Sequence, residues 1–154
     1  MSKSETYKEI YSQIEALIAD EADLIANLGN TCAVLHQAFN FHWTGFYLVK
    51  DSQLVLGPFQ GPVACTRINF GKGVCGLAWK ESKIQVVENV HDFEGHIACS
   101  PFSNSEIVIP LVYQSKVWGV LDIDSTDFGA FNEIDADYLE KICKNLTSHI
   151  QKSI

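Results

Sequence analysis

The sequence predicts an α+β domain in which helices from both ends of the chain cover one face of a mostly antiparallel sheet. Two observations predict it. Apolar residues near both ends recur at three- and four-residue spacing. From Trp43 to Ser125 the texture changes to short aromatic and β-branched runs punctuated by turn residues. Strands joined by tight turns pair antiparallel, because a parallel pair needs a long crossover.

The elements follow in order. Ile10, Ile14, Leu17 and Ile18 mark a first helix; Leu24, Ile25, Leu28, Cys32, Leu35 and Phe39 mark a second. The acidic link from Asp20 to Asp23 reads as a bend or a capped restart, since acids suit a helix N-terminus. "WTGFYLVKDSQLVLGPF" reads as two strands turning at "KDSQ". "GPVACTRINFGKGVCGLAWKES" begins as a strand, loops through Gly71 and Gly73, and becomes a short helix around Val74 to Lys80. "KIQVVENV" is a strand and "HDFEGHIACSPFSNS" a long polar loop. "EIVIPLVYQSKVWGVLDIDS" is a hairpin turning at Gln114 to Lys116. The C-terminal helix carries Ile134, Tyr138, Leu139, Ile142 and Leu146 on its apolar side, capped at or beside Asn132. The sheet face away from the helices is left for a pocket under the long loops.

Composition narrows the function. The chain has 154 residues, 47% of them apolar and 19% charged, which suits one packed domain. A domain of that size holds together without disulfides or metals. Its 19 acids against 11 bases give a net charge of -8, with no basic stripe, which argues against nucleic acid. Apolar runs such as Ile107 to Val112 are too short to cross a membrane, and the start MSKSETYKEIYSQ lacks the apolar stretch of a secretory signal. The expected location is the cytoplasm. Five cysteines, at 32, 65, 75, 99 and 143, are an odd number without a C-x-x-C pair, so free thiols are expected there.

The chemistry concentrates in the long loop and the hairpin after it. Cys99 is flanked by His96, Ser100 and Asn104, and a thiol in a polar loop can form the reactive thiolate. A spectator thiol fits the loop equally well. Glu106 opens a strand, and Asp122 and Asp124 lie two apart on the next, so both point to one face. Val120 and Gly119 mark that strand as covered. Three acids on neighbouring covered strands repel when ionised, so at least one should hold a proton near neutral pH. Such a cluster suits a cationic group, a metal, or an atom that must be protonated. Trp43 and Tyr47 fit a pocket wall or plain core equally. "FGKGVCG" lacks the phosphate-loop signature and reads as a turn into a helix, where Cys75 near the N-terminus should have a lowered pKa. His91, His96 and Cys99 lack the close ligand pairs of a structural zinc site, so redox chemistry ranks above zinc.

"GKGVCG", "GHIACS", "SNSEIVIPL" and "GVLDIDS", in this order and spacing, resemble the free methionine-R-sulfoxide reductase family. The resemblance runs from about Trp43 to Phe131 and implies that residues 1–154 form a single GAF-like domain. The fold it implies has a central antiparallel sheet of about six strands, helices on one side and a ligand pocket on the other. It implies Cys99 as nucleophile, Cys65 as the main resolving thiol and Cys75 as a secondary partner, and the intervals of ten and twenty-four residues agree with the family's pattern. Cys32 and Cys143, in helices outside the motifs, are assigned to packing. The family's substrate-binding carboxylates map to Glu106, Asp122 and Asp124, and its pocket aromatics to Trp43 and Tyr47.

The implied activity is reduction of free L-methionine-R-sulfoxide through a cysteine sulfenic acid and an intramolecular disulfide, recycled by thioredoxin, with no metal or organic cofactor. An acid is needed because a sulfoxide sulfur is a poor electrophile until its oxygen is protonated or strongly hydrogen-bonded. The same acids can hold the α-ammonium of a free amino acid, which a peptide-bound methionine lacks. Two other classes stay open: a GAF sensor that binds a ligand without chemistry, and a thiol redox switch, which would not need buried acids. The oligomeric state also stays open, a homodimer included.

Overall fold

The acidic link separates two N-terminal helices because it caps the second. Helix α1 (Lys3–Ile18) begins after Ser2, whose hydroxyl accepts from the Glu5 N–H. Helix α2 (Leu24–Phe39) begins after Asp23, whose carboxylate accepts from the Ala26 N–H, and ends at Asn40 in the left-handed conformation. The expected restart therefore sits at Asp23. The structure, a computed structural model, describes residues 1–96 and 100–153, the last three through their backbone only.

Six antiparallel strands follow: β1 (Trp43–Lys50), β2 (Gln53–Gln60), β3 (Arg67–Asn69), β4 (Gln85–Val87), β5 (Ser105–Tyr113) and β6 (Lys116–Ser125). Their order across the sheet is β3-β2-β1-β6-β5-β4. Helix α3 (Gly73–Glu81) lies between β3 and β4, and a 3-10 turn (Val90–Asp92) opens the long loop. The hairpin expected at Gln114 to Lys116 turns on Gln114 and Ser115, both at positive φ. One expectation is corrected. Residues 61–66 are not strand; pairing starts only at Arg67. Pro62 has no N–H to give a ladder, and the carbonyls of Pro62 and Cys65 are taken by side chains of β1 instead.

Alternation along the central strands gives each face its own layer. Phe46, Leu48, Ile107, Ile109, Leu111, Leu121 and Ile123 meet α1, α2 and α4 (Glu133–Ser153) in the larger core. Each fully buried residue of this kind contributes about 2 kcal/mol. Trp43, Tyr47, Val108 and Val120 point the other way and pack with Leu54, Ile68 and the Val74–Cys75–Ala78 side of α3. Cys32 and Cys143 are buried in the helix-side layer, as the packing assignment expects. Leu17, Ile25 and Ile134 keep helical spacing but lie on flanks that nothing covers, and they stay exposed.

Helix α4 is tied to α1 through one buried acid. Asp135 accepts from the Tyr7 hydroxyl at 2.6 Å, the Lys3 ammonium at 2.6 Å and the Asn132 N–H at 2.8 Å. Asn132 in turn accepts from the Ile134 N–H, completing the cap. Asp135→Ala should therefore leave the Tyr7 hydroxyl buried without its partner. The expected loss is roughly 2–4 kcal/mol, read as a melting temperature lower by about 5–15 °C.

Candidate active site

Strand register builds the site. Trp43, Asp124 and Glu106 stand side by side on β1, β6 and β5, and Gly45, Asp122 and Val108 form the next row. All three acids, with Trp43 and Tyr47, line one cavity under α3 and the loops. The rest of its lining includes Val63, Ala64, Lys72, Cys75, His96, Ser100 and Ser103. Glu106 and Asp122 are each only 6% exposed, so the alternative of solvated acids on an open edge fails. Trp43 and Tyr47 resolve the other alternative by being both core and wall: nearly buried, yet lining the cavity. Gly45 makes room for this wall, because a Cβ there would lie 2.3 Å from the Trp43 ring.

Burial sets the protonation of the acids. It pushes Glu106 well above the usual carboxylate range, and the charges of Asp122 and Asp124 push it further. Burial raises Asp124 strongly too, helped by Asp122. Asp122 is raised by burial, but hydrogen bonds donated by Glu106 and by the Cys75 thiol work against the rise. Glu106 and Asp124 are thus the groups that favour the protonated form most, and Asp122 is the more ionisable partner of Glu106. One Asp122 oxygen, Oδ1, is buried without a hydrogen-bond partner in a residue that lines the cavity. A buried lone acceptor of this kind is costly unless a ligand donor meets it.

The expectation for Cys75 is corrected. Its thiol is pushed well above its ordinary pKa, not below it. Burial is the largest cause, followed by the charges of Asp122, Glu106 and Asp124. Desolvation beside three acids outweighs the field of a nine-residue helix. Cys75, Glu106 and Asp122 bring their ligand atoms within 4.8 Å of one another, the donor set a cation would need. Cys65 is disulfide-bonded, whereas Cys32, Cys75 and Cys143 are free. Cys99 lies outside the described residues.

The cysteine-bearing loops are held by β1. The Tyr47 hydroxyl donates to the Cys65 carbonyl at 2.8 Å, and the Trp43 indole N–H to the Pro62 carbonyl at 3.0 Å. Sequence reasoning missed His42, Lys72 and Ser103. Lys72 precedes the glycine-rich turn into α3, and its position in "GKG" was the signal available for it.

Sequence and fold comparisons place the chain among known proteins. The GAF domain family profile covers residues 21–151. "GAF domain-containing protein A" of Dictyostelium discoideum is 53% identical over 94% of this chain and 92% of its own length. The free methionine-R-sulfoxide reductase of Escherichia coli is 48% identical over 95% of this chain and 89% of its own. The free methionine-R-sulfoxide reductase of Neisseria meningitidis, in an X-ray structure with its substrate, superposes with a TM-score of 0.98. It is 50% identical, over 99% of this chain and 93% of that one. The chain belongs to the free methionine-R-sulfoxide reductases of the GAF-domain family. The six-stranded sheet with helices on one face and a cavity on the other is the GAF architecture that the family resemblance implies. No helix among the described residues is long and apolar enough to cross a membrane.

The raised carboxyls make a reductase of this family sensitive to pH in its stability. A carboxyl that binds its proton more tightly when folded makes the folded state less stable as pH rises above the unfolded carboxylate range. Glu106→Gln keeps the shape and the donor but has no proton to lose. The variant should melt progressively higher than the unaltered chain between about pH 5 and about pH 8, the gap widening with pH. Thermal melts across that range check the sign; a gap independent of pH would refute it.

Proposed function

We propose that this chain reduces free L-methionine-R-sulfoxide to methionine. The observation that carries the reading is the cluster of three carboxyls lining a cavity walled by Trp43 and Tyr47, where burial favours their protonated forms. The kinship with reductases that bear this activity in their names supports it. A sensor would bind a ligand equally well in a cavity of this shape, but it has no use for a proton donor kept costly and buried.

The substrate is a zwitterion, and the cavity offers both signs. The unpartnered Asp122 Oδ1 supplies an acceptor for the α-ammonium. Gly73, Val74 and Cys75 bring the uncapped first turn of α3 to the cavity, and with Lys72 they favour the carboxylate. In this reading Glu106, with Asp124 behind it, donates toward the sulfoxide oxygen as the sulfur is attacked.

The Cys99 thiolate bonds to the sulfoxide sulfur; the protonated oxygen then passes from that sulfur to the Cys99 sulfur as the sulfur–sulfur bond breaks, so methionine leaves and Cys99 becomes the sulfenic acid. The Cys65 thiol then displaces water and forms the Cys65–Cys99 disulfide. Two electrons from an external dithiol restore both thiols; thioredoxin is the reductant this reading assigns. The net change is one sulfoxide and one dithiol converted to methionine, water and a disulfide. Cys75 stands by as a secondary thiol. Such a cycle belongs in a reducing compartment, the cytoplasm.

Methionine release from free L-methionine-R-sulfoxide, with thioredoxin or a small dithiol, tests the reading. Cys99→Ser should fall to background. Cys65→Ser with thioredoxin should give a burst of about one methionine per chain and then slow sharply to whatever rate the secondary thiol Cys75 sustains. Steady turnover by Cys99→Ser would remove the nucleophile assignment, and no turnover by the unaltered chain would favour a sensor.

A further inference from the structure

We infer that His42 is a positioning residue, clamping the loop that follows Cys99 to the strand system that carries the acids. The inference rests on Cys99 being the nucleophile, as proposed above. His42 immediately precedes β1. Its backbone N–H donates to the Asp124 carbonyl at 3.0 Å, which locks it to the acid-bearing strand. Its imidazole Nε2 lies 3.0 Å from the Ser100 Oγ. Ser100 lines the cavity, its Oγ also accepts from the Phe102 N–H, and it is the residue bonded to Cys99 in the chain.

The same strand end fixes a second segment. Trp43 and Tyr47 hold the Pro62 and Cys65 carbonyls, and Gly61, at φ 130°, packs where a side chain would strike the His42 carbonyl at 2.8 Å. The start of β1 thus holds both the segment bearing Cys65 and the residue after Cys99. His42 does not itself line the cavity, so its part is to place Ser100 and, through the peptide bond, the nucleophile. A neutral imidazole serves in either tautomer, because a serine hydroxyl both donates and accepts. On the other side of Cys99, the described His96 N–H donates locally, to the Phe93 carbonyl.

The experiment compares His42→Ala, Ser100→Ala, the double variant and the conservative His42→Asn. Each is reduced with a dithiol and desalted, and the alkylation rate of Cys99 by iodoacetamide is read by peptide mass. Turnover of free L-methionine-R-sulfoxide is measured alongside. A clamp predicts that each alanine variant lowers kcat roughly tenfold while KM moves less than about twofold, as misplacement of a reacting group does. The double variant should be no worse than either single, because both remove one interaction. His42→Asn should recover most of the rate. Cys99 alkylation should shift at least about threefold in both alanine variants and return in His42→Asn. Additive losses, or alkylation unchanged in all variants, would overturn the clamp. The alkylation arm decides the clamp even if the unaltered chain releases no methionine, an outcome that overturns the functional reading instead.

Discussion

A carboxylate taken out of water loses its hydration, and carboxylates taken out together also repel. Glu106, Asp122 and Asp124 meet both costs in one cavity, and the surrounding fold is arranged around how those costs are met. A proton on Glu106 turns repulsion into a hydrogen bond to Asp122. The Cys75 thiol donates to the same Asp122, so this thiol too serves their charge balance. Only a rigid support can keep such groups together, and the antiparallel ladder of β1, β6 and β5 supplies it.

That ladder works on both sides at once. Leu121 and Ile123 of β6 anchor the helical layer, while Val120, Asp122 and Asp124, the alternating residues, face the cavity. Stability and chemistry are thereby drawn from the same short stretch of chain without competing for the same face. The helical layer is locked by its own polar hub at Asp135, far from the acids of the sheet, so the apolar core carries the energetic load that the cavity side lacks.

Local patterns were legible from the sequence where they depend on neighbours in the chain. The two-residue interval from Asp122 to Asp124 placed both acids on one face, and the Asp20 to Asp23 link announced a helix start. The order and spacing of the cysteine and acid motifs pointed to the family. What sequence could not carry was depth and distant pairing. The position of Cys75 at a helix start was visible, but its burial against Asp122, forty-seven residues on, reverses the pKa that position implies. Residues 61–66 looked like strand because nothing local reveals that their carbonyls are claimed by Trp43 and Tyr47. Leu17 and Ile25 had helical spacing, yet what covers a helix flank is decided by the rest of the fold.

The placement of the remaining sulfurs has a consequence for durability. Cys32 and Cys143 lie in the helical layer, with the whole sheet between them and the cavity. Burial alone raises the Cys32 thiol to about 12, and burial together with Glu140 raises Cys143 as well, so neither exists appreciably as the oxidisable anion. A peroxide that reaches the cavity therefore meets a partition, with these two thiols beyond it. The two helix-side sulfurs, and the packing they belong to, are thereby shielded from an oxidant in the cavity.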